Sequence, residues 1–531
     1  MLRWNGWGDE AIHLKLPEPG RDLLIRMLGI GNARPDASLN NLLKCIPDSR
    51  LFRHPLTTFD PRERLDHAHG QSLPDWIDLR GGSLKTFPDG VAYPESFEQV
   101  TDLIQLAKKQ DAVVIPSGGG TSVVGHLEVP EGDRPVLSLS LKRLNRLVDL
   151  NPDNLLATFE SGILGSQLEA RLKVKGFTLG HYPQSFEYST LGGWVATRSS
   201  GQQSSHYGRI EQLYAGGELV TPVGKLNLPP FPASAAGPDL RQMVLGSEGR
   251  LGVLTRVTVR ISPIPERDDI YGIFFPSWDH AVIAVRTIAG AGIPYSMIRL
   301  SNPVETRTGL AMAGHSKKMG LLSRYLRIRG VAEDSACLCL IGFTGSKRQV
   351  RPARREAVAV LQRYKGVSAG KAPGAAWKKN RFRAPYLRNT LWNIGYAVDT
   401  LETAVTWDKV DTAMETIEQA VEESLVPWNE KIYCFSHLSH VYPSGSSIYT
   451  TVVFRLANTP EETLARWQAI KEAASRAIIR AGGTISHQHG IGVDHLPYMA
   501  DEKGSAGTGA LKQLCAYFDP ENRMNPGKLV M

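Results

Sequence analysis

The sequence has few cysteines and no long apolar run. Among its 531 residues only five are cysteines, too few and too irregularly spaced for a disulfide framework, and we therefore expect a reducing compartment. No uninterrupted apolar stretch approaches the roughly 20 residues that a membrane-spanning helix needs. The N-terminal region also lacks the apolar core of a signal peptide, because charge and proline interrupt it at residues 14–17 (LKLP). We expect a soluble, cytoplasmic protein, and the last residues carry no peroxisomal signal.

The excess of positive charge is small for the length of the chain. There are 61 basic and 53 acidic residues, a formal net charge of +8, which suits an anionic substrate or cofactor as well as a nucleic acid. The sequence has no recognised nucleic-acid-binding module, so we expect no nucleic-acid partner. Cys337 and Cys339 alternate within an apolar run that is typical of a buried strand, and we predict no metal site.

Three consecutive glycines form the first candidate binding site. Residues 113–125 read VVIPSGGGTSVVG, an apolar run that is followed by glycines and two hydroxyl residues. Glycines with positive φ let successive backbone N–H groups converge on one anion, as a pyrophosphate requires. A plain glycine turn between strands is the alternative. The cofactor-binding candidates here are Pro116, Ser117, Gly118, Gly119, Gly120, Thr121 and Ser122.

Two further segments, residues 181–213 and 245–261, combine glycine with small residues. Such backbone freedom suits a chain that is pressed against a flat ligand. In residues 245–261 the glycines make a tight turn that leads into an alternating strand. We call residues 181–213 the second segment and residues 245–261 the third segment. The cofactor-binding candidates are Ser185, Thr190, Gly192, Gly193, Thr197, Ser200 and Gly201 in the second segment and Glu248, Gly252 and Val253 in the third.

In this order and spacing, the three segments resemble the FAD-binding domain of the vanillyl-alcohol oxidase and p-cresol methylhydroxylase (PCMH) superfamily. Within that superfamily the chain resembles the alkyldihydroxyacetonephosphate synthase family over nearly its whole length. The matching motifs are RWNGWG at residues 3–8, SFEYSTLGGWVATRSSG at 185–201, MIRL at 297–300, ET at 402–403, WD at 407–408, IY at 448–449 and SHQHGIG at 486–492.

The resemblance implies an α+β fold, in which a two-subdomain PCMH-type FAD-binding domain carries an α/β cap domain of the FAD-linked oxidase C-terminal type. We predict a helical lead-in at residues 1–82, the FAD-binding domain at 83–265, the cap or substrate domain at 266–483 and a segment at 484–531 that returns to the flavin site. Thr121 follows the glycines, as in family members that do not tether FAD, so we expect non-covalent FAD even though His126 lies nearby.

Hydrophobic periodicity and capping residues also predict individual elements. Ser96 is the expected N-cap of a helix with Glu98 in its first turn. The predicted helices cover residues 97–110, 278–290, 346–364 and 407–423, and the predicted strands cover 270–275, 338–343 and 447–456.

The activity that the resemblance implies is an FAD-dependent transfer in ether lipid synthesis. The acyl group of acyl-dihydroxyacetone phosphate is exchanged for a fatty alcohol, with no net redox change. The alternative is an FAD-linked dehydrogenase or oxidase of a 2-hydroxy acid or related alcohol, because most of the superfamily performs redox chemistry. A non-catalytic flavin-binding or lipid-binding protein is a third class.

Tyr449 is the catalytic base that the resemblance implies, removing a proton from the substrate carbon beside its carbonyl. A phenol with a pKa near 10 needs neighbouring cations or donors for this role, and from the residues alone a core tyrosine is the alternative. His487 and His489 flank Gln488, and in extended backbone this spacing puts both imidazoles on one face, suited to proton handling. Two partly exposed loop histidines are the alternative. The family carries three histidines here, and an amide in the middle cannot exchange a proton.

Arg299 and Arg388 match family arginines near the flavin and the substrate phosphate, and guanidinium groups suit phosphate. We assign Arg388 to catalysis and Arg299 to cofactor binding. At His437 and His440 the chain departs from the eukaryotic family members, so substrate detail is left open.

Residues 309–330 mix apolar side chains with lysine and arginine. Such a segment suits peripheral contact with an anionic membrane, which a long-chain lipid substrate would give a purpose, and a solvated helix is the alternative. The expected assembly is a homodimer, although no residue pattern specifies it.

Overall fold

The computed structural model describes residues 1–314 and 317–530. The side chains of Lys317 and Lys318, which belong to the segment predicted to contact lipid, lie outside the described part. Residues 1–82 form helices around the short strand Thr57–Thr58. The helix Leu73–Gly81 begins at a capping box formed by Ser72 and Asp75. The N-terminal helices are Glu18–Leu28, Leu39–Cys45, Pro61–Asp66 and Leu73–Gly81.

The first sheet carries the strand that leads into the glycine loop, residues 116–122. Three of its four strands are parallel to one another, and only Thr57–Thr58 pairs antiparallel. The helix Phe97–Lys109 packs Val100 and Leu103 onto this sheet and begins at Ser96, whose side chain accepts the Gln99 N–H. The predicted helix and its cap are thus confirmed. In spatial order the strands are Thr57–Thr58, Gly90–Ala92, Val136–Ser140 and Val113–Ser117.

A second sheet is antiparallel and lies beside the first. Its central strand contributes Val253 to a buried cluster that also contains Val114 of the first sheet and Val100 of the helix Phe97–Lys109, so the two sheets share a core. The strand order is Leu147–Asn151, Leu156–Glu160, Val253–Arg260, Tyr214–Thr221 and Gly224–Leu228, and Phe177–Thr178 pairs separately with Ser262–Pro263. The accompanying helices are Gly165–Val174, Leu191–Thr197, Ser204–Tyr207, Ile210–Leu213 and Arg241–Val244.

The third sheet, called the cap sheet below, is antiparallel and carries Tyr449 and Arg299 among the candidate site residues. One face is covered by helices, whose buried side chains pack with Ile298, Leu438 and Ile448. Because side chains alternate along a strand, their neighbours Arg299 and Tyr449 point to the opposite face. The strand order is Val367–Ser368, Arg267–Phe275, Cys337–Gly345, Met297–Ser301, Ile432–Tyr442, Gly445–Arg455 and Tyr396–Thr406.

The helices of this region confirm most of the predicted bounds. Trp278–Gly290 begins and ends as predicted, whereas the helix predicted from residue 407 starts with the 3₁₀ turn Trp407–Lys409. The remaining helices are Pro303–Met312, Lys317–Ile328, Lys347–Arg363, Ala372–Asn380, Tyr386–Asn393, Val410–Ser424 and Pro460–Arg480, with single 3₁₀ turns at Leu141–Arg143, Val426–Trp428 and Leu496–Tyr498.

The C-terminal segment packs against the first sheet. After the helix Met499–Phe518, the backbone N–H of Asn525 donates to the carbonyl of Val114, and the Val114 N–H donates to Arg523. The Asn525 amide also donates to the carbonyls of His126 and Glu248. The four-part division of the chain stays a prediction. Among the described helices, none is both long and apolar enough to cross a membrane.

Candidate active site

Tyr449 lies between two histidines on the face of the cap sheet opposite to the one that carries Ile448. Its ring lies parallel to that of His437, with 5.0 Å between centroids, and meets His489 edge-on at 6.1 Å. Burial, and next the charge of Glu402, raise the pKa of Tyr449, while Arg299 opposes the shift. The phenol is therefore protonated at neutral pH, and a base role requires a group that accepts its proton.

Arg299 is held beside this tyrosine by a buried carboxylate. Its Nη2 lies 2.7 Å from Oε1 of Glu305, and Nδ1 of His437 lies 3.0 Å from the same oxygen. Burial favours the neutral acid, but Arg299 and His437 together lower the pKa of Glu305. The Arg299 side chain keeps 30% of its surface exposed, so it can bind a further anion.

Glu402 joins the two predicted histidines. It pairs across the sheet with Tyr449, its Oε1 lies 3.1 Å from Nδ1 of His487, and its Oε2 lies 3.4 Å from Nε2 of His489. Burial raises the pKa of Glu402 to about 8, whereas burial and the nearby Lys471 lower the pKa of His489 to about 3. Of these two groups, the carboxyl therefore titrates closer to neutral pH than His489 does.

Arg209 fixes the protonation of His487. Nη1 of Arg209 lies 2.6 Å from Nε2 of His487, and the Tyr442 hydroxyl lies 2.7 Å from the same nitrogen. A guanidinium can only donate, so Nε2 accepts and Nδ1 carries the hydrogen, which points at Glu402. Burial, with His440 and Arg209, lowers the pKa of His487. His487 is thus a neutral donor to Glu402 rather than a proton acceptor.

His440 connects this network to the second glycine segment. Its Nε2 lies 3.1 Å from the carbonyl of Gly201, and its Nδ1 lies 3.0 Å from Oγ of Ser439. Ligand-type atoms of Glu402, His440 and His487 lie within 4.8 Å of one another. Because both ring nitrogens of each histidine already have protein partners, this arrangement fits a hydrogen-bond network better than a metal ion.

Arg388 links the cap region to the glycine loop. Its guanidinium lies 4.3 Å above the ring of Trp76, and Nη1 donates to the carbonyl of Gln71 at 2.8 Å. The Gln71 N–H in turn donates to the carbonyl of Ser122 at 2.6 Å. Among the described residues, buried Nη2 of Arg388 has no hydrogen-bond partner, so it remains available to an anion.

The glycine loop is shaped for a ligand on one side only. A Cβ on Gly119 would lie 1.7 Å from the carbonyl oxygen of Tyr188, and one on Gly118 would lie 2.4 Å from Oγ1 of Thr190. Gly120 has a φ of 66°, and the space around its missing Cβ is open to 4 Å. The loop is therefore pressed against residues 188–190 while Gly120 faces open space, which fits the cradle of a bound pyrophosphate.

The second predicted segment supplies backbone and caps more than side-chain donors. Thr190 caps the helix Leu191–Thr197 by accepting the Gly193 N–H, and a Cβ on Gly192 would meet Ser161 at 2.8 Å. The Thr197 hydroxyl donates to the carbonyl of Gly193 within this helix. The Ser204 hydroxyl oxygen accepts both the Ser200 hydroxyl and the Gly201 N–H. The Ser185 carbonyl accepts the N–H groups of Tyr188 and Ser189.

The third segment, residues 245–261, packs against the C-terminal loop through Glu248. The Glu248 carboxylate accepts the backbone N–H groups of Ile491 and Gly492 and lies 3.1 Å from Nε2 of His126. Val253 is fully buried between the two sheets, and a Cβ on Gly252 would meet the carbonyl of Val220 at 2.2 Å. Glu248 thus holds the histidine-bearing loop in place, and cofactor binding by Glu248, Gly252 and Val253 stays a prediction.

Several members of the site were not predicted from the sequence. No local sequence pattern indicates Arg209, Tyr442 or Glu305. Each of them contacts the site through a residue that is distant in the sequence or lies on another element. Glu402 stood within a motif that matches the family, which was the one signal that could have led to it. The Ser122 hydroxyl, predicted for the cofactor, lies 2.7 Å from Nδ1 of His126.

Two family models and one distant structure define the class. The model for the FAD binding domain matches residues 88–227, and the model for FAD linked oxidases, C-terminal domain, matches residues 264–529. The fold is similar to that of p-cresol methylhydroxylase, with a TM-score of 0.69 at 14% identity over 94% of this chain and 98% of the other. The chain is thus an FAD-binding protein of the PCMH type with a C-terminal oxidase-type cap, as the sequence predicted.

More similar relatives specify the family. The chain is 34% identical to alkyldihydroxyacetonephosphate synthase of Dictyostelium discoideum over 89% of this chain and 78% of the relative. It is 30% identical to that of Trypanosoma brucei brucei over 100% and 92%. A solved alkyldihydroxyacetonephosphate synthase matches with a TM-score of 0.85 at 29% identity, covering 99% of both chains. The chain belongs to the alkyldihydroxyacetonephosphate synthase family.

Proposed function

We propose that this chain is an FAD-dependent alkyldihydroxyacetonephosphate synthase of ether lipid synthesis. It exchanges the acyl group of acyl-dihydroxyacetone phosphate for a fatty alcohol. The observation that carries the proposal is the position of Tyr449 between His437 and His489, with Arg299 on the same face of the cap sheet and next to His437. The test is incubation of the FAD-loaded protein with acyl-dihydroxyacetone phosphate and a labelled fatty alcohol, without an electron acceptor. Formation of the labelled ether product supports the proposal, and its absence contradicts it.

The residues of the glycine loop and of the adjoining segments would hold FAD without a covalent bond. Gly120 offers open space with positive φ, and the neighbouring glycines allow close packing of the loop. Arg388 and Arg299 would bind the anionic parts of cofactor and substrate, because Nη2 of Arg388 has no hydrogen-bond partner among the described residues and the Arg299 side chain is 30% exposed. Bound FAD would supply an electrophilic ring for the exchange.

Tyr449 would remove the proton from the substrate carbon beside the carbonyl. Its ring is partly buried between His437 and His489, and Arg299 favours the phenolate form. His489 lies at the edge of the Tyr449 ring and would stabilise an oxyanion or accept a proton.

An FAD-linked dehydrogenase is the second candidate function. It is favoured by Gln488 in place of a family histidine and by the similarity to glycolate oxidase subunit GlcD of Bacillus subtilis, 25% identical over 84% of this chain and 89% of the relative. Anaerobic mixing separates the two functions. A dehydrogenase reduces its flavin durably with a 2-hydroxy acid, whereas a synthase exchanges alcohol and leaves the flavin oxidised.

We also propose a cytoplasmic protein that contacts membranes through the helix Lys317–Ile328. Leu321 and Ile328 are 68% and 74% exposed, and Arg324 and Arg327 lie on the same helix. Replacing both arginines by alanine should weaken sedimentation with anionic vesicles at low salt, and unchanged sedimentation would refute the contact. A homodimer is the proposed assembly, which a mass measurement in solution tests.

A further inference from the structure

Glu402 is a buried carboxyl group, and within the part of the chain that the structure describes one of its oxygens has no hydrogen-bond partner. Oε1 faces Nδ1–H of His487, which Arg209 fixes as a donor. Oε2 lies 3.4 Å from Nε2 of His489 and, among the described residues, has no hydrogen-bond partner. A buried polar atom without a partner costs stability, so its position calls for a functional explanation.

The position of Glu402 relative to Tyr449 gives that explanation. The two residues are direct cross-strand partners, and their side chains lie on the same face of the sheet. His489 contacts both, Glu402 through Nε2 and the Tyr449 ring through its edge. Glu402, His489 and Tyr449 therefore form one cluster of neighbouring side chains.

We propose that Glu402 is a positioning residue that orients His489 beside Tyr449 and stores the proton that Tyr449 must lose before it can act as a base. The inference rests on the proposed function. The Tyr449 O–H bond breaks and its proton passes to one nitrogen of His489, while the other His489 nitrogen releases a proton to Oε2 of Glu402. The phenolate then takes the proton of the substrate carbon, whose C–H electron pair stays on the substrate. No further reactant is needed.

The pKa of Glu402 depends on its burial and on the polar groups that face it. From the C-terminal loop they are His487, Gln488 and His489, and from the other packed elements they are Arg209, His440, Tyr442 and Tyr449. Burial dominates and raises the pKa of Glu402 to about 8, while Arg209 and the Gln488 amide partly oppose the shift. At neutral pH the carboxyl is mostly protonated, and a protonated carboxyl cannot store a second proton.

The first experiment measures how the exchange rate of the FAD-loaded, full-length protein depends on pH. The rate should rise by about tenfold per pH unit up to about pH 8, as Glu402 ionises. Glu402→Gln should lower the rate by about 10²-fold or more and remove this rise, while Glu402→Asp should keep the rise at a lower rate. Glu418→Gln is the matched control, because Glu418 is also raised in pKa by burial but lies on the helix Val410–Ser424, and it should leave the profile unchanged.

A second measurement does not depend on activity. The infrared carbonyl band of a protonated carboxyl should be lost from the Glu402→Gln protein at pH 6.5, and in the wild type this difference should disappear with a midpoint near pH 8. Flavin content reports whether each variant is folded. A wild-type rate profile in Glu402→Gln, or a carboxylate that is ionised throughout pH 6 to 9, would overturn the proposal. Absence of exchange in the wild type would instead refute the proposed synthase, and the infrared titration would still decide the protonation of Glu402.

Discussion

Replacing Gly119 or Gly120 by alanine should distinguish the contribution of the glycine loop to packing from its contribution to FAD binding. A Cβ on Gly119 would lie 1.7 Å from the carbonyl oxygen of Tyr188, far inside any real contact, so one backbone segment must move by more than about 1 Å. Overpacking of this kind costs about 1–3 kcal/mol. If the loop absorbs the shift, Gly119→Ala weakens FAD binding by about 5- to 150-fold and also lowers the melting temperature of the flavin-free protein.

Gly120→Ala is the matched control within the same loop. Its Cβ meets no atom within 4 Å, and the only cost to the protein alone is that alanine must adopt a φ of 66°, which costs roughly 1–2 kcal/mol. The added methyl group would nevertheless occupy the open space that we assign to the cofactor. Gly120→Ala should therefore weaken FAD binding with a smaller loss of melting temperature than Gly119→Ala.

The assay is a titration of each flavin-free, full-length variant with FAD, followed by flavin fluorescence, together with thermal unfolding with and without FAD. Wild-type FAD affinity in both variants would refute the assignment of this loop to the cofactor. Unchanged thermal unfolding of Gly119→Ala would refute the packing argument.

Three further predictions concern the site and its titration. Tyr449→Phe should abolish exchange of labelled alcohol and leave FAD bound, and measurable turnover would remove Tyr449 from the base role. Arg388→Lys keeps the charge but loses the planar group above Trp76, so the KM for acyl-dihydroxyacetone phosphate should rise by about tenfold with unchanged flavin content, and an unchanged KM would contradict phosphate binding there. The pKa values of His181, His440 and His489 are lowered by burial to about 3, below that of an unfolded histidine, so stability is present above about pH 6.5 and is lost as the pH falls. Each should cost roughly 1 kcal/mol at pH 5.5, and a melting temperature that does not fall between pH 7.5 and 5.5 would contradict their neutral burial.

The sequence predicted those parts of the site in which the local backbone must adopt positive φ or pack closely against another segment. The glycines of residues 118–120 are needed where the loop packs against Tyr188 or adopts positive φ, and such demands leave a readable local pattern. The helix Trp278–Gly290 was predicted to the residue because its apolar face and its flanking signals are local too.

The proton network could not be predicted in this way. Arg209 meets His487 across 278 residues, and Glu402 meets Tyr449 only through strand register. The spacing of His487 and His489 predicted that an extended backbone would put both imidazoles on one face. The two imidazoles do lie next to the same group, Glu402, but for a different reason. Their backbone is bent, and the rings converge because both contact Glu402.

The most direct test of the account is the flavin spectrum of the FAD-loaded protein during exchange. With acyl-dihydroxyacetone phosphate and labelled fatty alcohol under anaerobic conditions, the account predicts labelled ether product, released fatty acid and a flavin that ends oxidised. Durable flavin reduction by a 2-hydroxy acid, with no labelled ether product, would contradict it.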